Sequence, residues 1–149
     1  MNRHRTAALA VAAVLATDGL LHVYWATGST WPAPDGTSLS YAVLNAEVPF
    51  TPRVVLPLAT LLFSGATVVL ARGGLLDGVA RRLPGVVLRW GPRAVAGGLL
   101  ARGLVGLVWA SGIGTEPGSA FHRLNLVLYT PLCLVGAAAA LAVARGPRR

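Results

Sequence analysis

Four long apolar stretches dominate the chain: Thr6–Ala26, Val54–Ala71, Ala94–Gly112 and Leu124–Ala144. Each runs for about 18 to 21 residues, close to the ~20 that an α-helix needs to cross ~30 Å of hydrocarbon. Lipid offers no hydrogen-bond partners to the backbone, so the stretches must satisfy their amides internally, as helices. The pattern predicts one all-α domain over residues 1–149, a polytopic four-transmembrane-helix bundle. Pro57 and Pro131 fall inside the second and fourth helices, where a kink accommodates each.

The segments between them are of two kinds. Residues 27–53 form a long outer loop, whose first half carries the turn residues Gly28, Pro32, Pro34, Asp35 and Gly36. Ser38–Glu47 reads as a short helix capped by Ser38, with Tyr41, Leu44 and Val48 on one face. Loops of this length often serve as lids or binding elements. Residues 72–93 mix five arginines with Leu75, Leu76, Val86, Val87, Leu88 and Trp90, and Pro84, Gly85, Gly91 and Pro92 break the run. This loop is expected to lie along the headgroups, its arginines on anionic lipid.

Composition agrees with a membrane location. Only 12% of the residues are charged and 54% are hydrophobic, with a mean hydropathy of +0.63. So few charges cannot cover a soluble surface. All thirteen basic residues are arginines, and their placement gives an orientation. Ten flank one side: Arg3, Arg5, Arg72, Arg81, Arg82, Arg89, Arg93, Arg145, Arg148 and Arg149. Arg53 and Arg123 alone flank the other, beside Asp35, Glu47 and Glu116. The positive-inside rule then places both termini and the loop 72–93 in the cytoplasm, in the plasma (inner) membrane. The net charge of +8 does not indicate nucleic acid, because no aromatic-interleaved basic patch occurs. Arg3 and Arg5 before Ala7–Ala16 also resemble the start of a signal peptide, but Ala16-Thr17-Asp18 is a poor cleavage site and a retained helix is expected.

Chemistry, if present, resides in polar residues inside the spans. Asp18 and His22 share a face of the first helix at i, i+4, and Trp25 continues it outward. Arg102 lies midway along the third, between Gly98 and Gly106, with Trp109 further out. Asn125, Tyr129 and Cys133 repeat at i, i+4, i+8 on the fourth. Counted from the outer end at ~1.5 Å per residue, Asp18 lies about 12 Å deep and Arg102 about 15 Å deep, with His22 and Tyr129 at about 6–8 Å. An unpaired charge near the midplane costs ~3 kcal/mol. An Asp18–Arg102 ion pair is therefore expected, with the first and third helices in contact through Gly98, Gly103 and Gly106. The lone Cys133 excludes an internal disulfide and a CxxC redox pair.

Three segments resemble a known family. Leu20-Leu21-His22-Val23-Tyr24-Trp25-Ala26-Thr27-Gly28 looks like an LHxYWAxGG signature, and Asn125–Leu134 is similar to a stretch containing LYSPLCL. Arg102-Gly103-Leu104 resembles an Arg-Gly element of a third helix. Together they resemble a bacterial membrane family, domain of unknown function 3995, with Thr130 and Ser29 departing from its usual Ser and Gly. The resemblance implies four helices and supplies no reaction.

Three function classes follow. In the first, Asp18 and His22 form an acid/base pair, Arg102 and Tyr129 stabilise developing negative charge, and Trp25, Trp109 and Asn125 contact a lipophilic small molecule. Such a site would isomerise, cyclise or hydrolyse its substrate without a cofactor, since no metal or nucleotide motif is present. The second is a structural or accessory subunit of a membrane complex. The third is a proton-coupled transporter acting as a homodimer. Membrane lipids are partners in every case. The retained first helix has a direct check: the intact mass of the purified protein should include residues 1–26, and a mass matching cleavage near Ala16 overturns that reading.

Overall fold

The computed structural model describes residues 3–146; Arg148 and Arg149 of the basic count lie outside the described residues. Every described element is helical. They are α1 (Arg3–Ala26), α2 (Gly36–Leu44), α3 (Pro52–Arg72), α4 (Asp77–Ala80), α5 (Gly85–Ala110) and α6 (Ala120–Arg145). Of these, α1, α3, α5 and α6 are long and apolar enough to cross a membrane. The fold is an all-α four-helix bundle of a multi-pass membrane protein.

The four long helices alternate in direction, so both described chain ends lie at one end of the bundle, here called the terminal end. Helix α1 packs along α3 and α5 along α6; α1 with α6 and α3 with α5 close the ring. Consecutive helices are thus neighbours, and α1 and α5 sit on a diagonal. That corrects the expected contact between the first and third spans. The glycines expected to serve it face elsewhere. A Cβ at Gly103 would lie 2.6 Å from Leu134 Cδ2 of α6, and one at Gly106 would overlap Thr130 of α6. Gly98 borders open space. The small residues of α5 therefore seat α6.

Side-chain size is sorted against the usual direction of a soluble protein. Small side chains fill the core toward the terminal end: Ala8, Val11, Ala12 and Leu15 against Ala66, Val69, Ala96, Ala140 and Val143. Bulkier ones point outward, among them Leu20, Leu61 and Trp90, each more than half exposed. Without a hydrophobic drive between helices in lipid, close packing of small residues holds such bundles together.

Two boundaries differ from the sequence pattern. Helix α5 starts at Gly85, well before Ala94, and runs through Gly91 and Pro92 without a break. Proline removes one helical bond, here to the Leu88 carbonyl. Pro92 is fully buried and Gly91 lies against Val68 of α3, so packing holds this turn helical. The expected interfacial loop shrinks to residues 73–84, with α4 inside it. Helix α6 starts at Ala120 and contains a π turn, Asn125–Tyr129, in which the Thr130 amide donates to the Asn125 carbonyl. Pro131 accounts for its position: its ring clashes with the carbonyl four residues back and it has no N–H to give, and widening the preceding turn relieves both.

The close α5–α6 contact is testable. Gly106→Val should lower thermal stability in detergent by about 1–3 kcal/mol through overpacking, whereas Gly98→Val should leave the melting temperature unchanged. Equal melting of the two variants would contradict this packing.

Candidate functional site: two polar clusters at the loop end

The polar residues gather in the half of the bundle opposite the terminal end, in two groups. The first lies on α1. His22 is 6% exposed, one helical turn beyond Asp18. Its Nδ1 lies 2.8 Å from the Asp18 carbonyl oxygen and 3.4 Å from Asp18 Oδ1. Both are acceptors, so Nδ1 carries the proton. In the neutral ring Nε2 then bears the lone pair. Trp25 meets the His22 ring edge-on at 5.2 Å and Phe50 at 5.3 Å. Its indole N–H donates to the Trp31 carbonyl at 3.2 Å, tying the following loop over the histidine. The Asp18 side chain is half-exposed.

The second group joins α5 to α6. Asn125 is fully buried and works in both directions. Its Nδ2 donates to the Gly106 carbonyl at 2.7 Å, and its Oδ1 accepts from Arg102 Nη1 at 3.2 Å. The first bond needs a bare backbone at Gly106, where any side chain would hold α6 away. The Arg102 guanidinium lies over the Trp109 ring at 5.0 Å and the Tyr129 ring at 5.6 Å. Trp109 is held edge-on by buried Phe121 at 5.1 Å.

Arg102 does not pair with Asp18. Among the described residues the one ion pair is His22 with Asp18. The diagonal placement of α1 and α5 explains this: the two charges stand on opposite corners of the bundle. The π turn divides the expected Asn125–Tyr129–Cys133 face. Asn125 and Thr130, five apart, are the buried pair, while Tyr129 and Cys133 are half-buried.

Thr130 was not among the expected site residues. It is 4% exposed, packs on Gly106 beside Asn125, and its hydroxyl has no partner among the described residues. Pro131 was the available signal, since a widened turn before it moves the inward face by one residue.

The short helix α2 covers this end. Asp35, not Ser38, caps it, accepting from the Ser38 amide at 2.8 Å, and Asn45 ends it in the left-handed conformation. It packs against the start of α6. The Tyr129 hydroxyl donates to the Ala42 carbonyl at 3.5 Å, and Asn45 Nδ2 donates to the Gly114 carbonyl at 2.9 Å. His122 braces the second loop, accepting from the Gly118 amide at 3.4 Å and facing the Ala110 carbonyl through Nε2 at 3.3 Å. Among the described residues no three of His, Cys, Asp and Glu gather to hold a metal ion.

Comparison with known proteins adds one match. The family described as "Protein of unknown function (DUF3995)" matches residues 14–140. No curated protein and no solved structure matches the chain.

The cap of α2 carries a pH dependence. The Ser38 amide and hydroxyl hold the Asp35 carboxyl below its ordinary pKa. A depressed carboxylate stabilises the fold above its unfolded pKa of ~3.9, and the contribution is lost as pH falls through the folded value. At neutral pH, Asp35→Ala should speed amide exchange in α2 relative to wild type, and the difference should close below about pH 4. A difference that persists in acid would refute this account.

Proposed function

Since the chain belongs to the DUF3995 family, whose description carries no activity, we propose from geometry that it binds a lipophilic small molecule bearing an anionic or strongly polarised oxygen, in the outer half of the bundle. The arginine distribution puts the loop end outside and the terminal end in the cytoplasm. Arg102 is the observation that carries the reading. It lies within a membrane-spanning helix, has no carboxylate partner among the described residues, and forms one hydrogen bond, to Asn125. A guanidinium offers five N–H donors. Two aromatic faces at up to about 2 kcal/mol each offset the ~2.5–3.5 kcal/mol that the charge costs at mid-bilayer, but they take up none of its N–H donors. An incoming oxygen anion would accept from the donors that Asn125 leaves open.

Across the bundle from it, on α1, the His22–Asp18 pair supports proton transfer. The Nε2 lone pair of His22 can take a proton from the substrate, and the Asp18 carboxylate stabilises the imidazolium that forms. Arg102 would hold the negative oxygen that develops, joined by Tyr129 when its hydroxyl turns from the Ala42 carbonyl. Return of the proton to a different atom completes an isomerisation or cyclisation with no net redox change. The α2 helix, bonded to Tyr129, would act as the lid.

An accessory-subunit reading rests on a different face. Gly97, Gly98 and Ala101 of α5 are exposed, and a Cβ at either glycine would meet nothing. This small-residue face would admit a second helix, from another copy or another subunit.

Organic extraction of the purified protein followed by mass spectrometry separates the readings. The wild type should yield an enriched acidic or carbonyl-bearing lipophile. Arg102→Gln should recover it at about tenfold lower yield or less, as expected for loss of a charge-assisted bond. His22→Gln should retain it. Equal recovery from wild type and Arg102→Gln overturns the binding reading.

A further inference from the structure

A second charged site lies at the terminal end, far from the polar clusters. Arg72 ends α3, Arg89 and Arg93 sit one turn apart near the start of α5, and Arg145 ends α6. Three helices thus deliver four guanidinium groups to one cavity of about 620 Å³, completed by Ala144 and Gly146. Among the described residues no carboxylate lines it. Asp77 on α4 is the one acid among the described residues at this end, and it is exposed.

The arginines are not equivalent. Arg72 donates to the Ala144 and Gly146 carbonyls, so it neutralises the open C-terminal end of α6 and belongs to the fold. Arg89 and Arg93 are held differently. Both guanidiniums lie against the Trp90 ring, at 5.9 and 5.5 Å, and Arg93 also donates to the Arg89 carbonyl. Trp90 is 58% exposed, as an aromatic anchor at the headgroup level would be. These contacts preorganise positive charge without neutralising it. Converging like charges repel, and their cost falls only when an anion enters.

We propose that this cavity binds a phosphate group, that of an anionic phospholipid headgroup. Planar guanidiniums match phosphate oxygens two at a time. The volume falls within the ~300–1,000 Å³ of ordinary ligand sites. The adjoining Trp90 and the apolar flank of α5 place the cavity where a lipid phosphate would lie, and basic pockets between spanning helices are suited to such headgroups.

Native mass spectrometry of the full chain, exchanged into mixtures of phosphatidylglycerol and phosphatidylcholine, tests the site. Wild type should retain phosphatidylglycerol preferentially. The triple variant Arg89→Gln, Arg93→Gln, Arg145→Gln should lose the preference by about fivefold per charge, ~100-fold in all. If the triple variant does not fold, Arg145→Gln alone, at an exposed helix end, should still lose about fivefold. Retention that resists excess inorganic phosphate supports the lipid source. Full displacement by inorganic phosphate supports a phosphate site and overturns the lipid assignment. Unchanged phosphatidylglycerol preference in the variants overturns the proposal.

Discussion

The contact between α5 and α6 at Gly106 is the constraint from which the rest of the site follows. Pro131 widens the turn before it, so Asn125 and Thr130, five residues apart, come to lie on the same inward face. Both press on Gly106, where only a bare backbone leaves room. Asn125 then spends its amide N–H on the Gly106 carbonyl and its oxygen on Arg102, four residues earlier on α5. A regular helix would bring Tyr129 to the buried position and turn Thr130 aside. The amide would lose its acceptor, and a buried orphan polar group costs ~1–3 kcal/mol. One proline thus fixes the register that holds an intramembrane arginine.

That register also decides what neutralises the arginine. The alternating helices place α1 and α5 on a diagonal, so Asp18 belongs to the wrong corner. Asp18 engages His22 and Arg102 engages rings. The separation keeps both charges chemically available. A tight Asp18–Arg102 pair would have satisfied each and left His22 without its carboxylate. The bundle instead holds a positive and a negative centre apart, with the ring of half-buried Tyr129 against the positive one.

How much of this the sequence disclosed varies by level. The four crossings are legible because twenty apolar residues in lipid have one solution. The polar residues are legible as a set because each is costly in hydrocarbon, and Asp18 with His22 is legible as a pair because both sit on one helix at i, i+4. Pairings between helices are not. The match of Asp18 to Arg102 by depth is silent about azimuth, which the order of helices around the ring determines, and the two do not pair. The face of α6 was misread for a local reason, since i, i+4 counting fails across a π turn. The start of α5 was misread because Gly91–Pro92 reads as a break locally, while the packing of Val68 and the burial of Pro92 are tertiary facts.

The two halves of the bundle also divide the physical work. Toward the terminal end, alanine and valine interdigitate at close range with no ionisable group in the core cluster. Toward the loop end, the interior holds a histidine, an asparagine, a threonine with an unpartnered hydroxyl and a half-buried arginine. Each of those departs from what a lipid-embedded bundle needs for stability alone. Such departures persist where the surrounding structure over-determines them. Here the alanine-packed half clamps all four helices, and α2 with its loop bonds closes the other end. A closely packed half thus lets the other half carry polar groups that cost stability, and the proposed binding reading builds on that division.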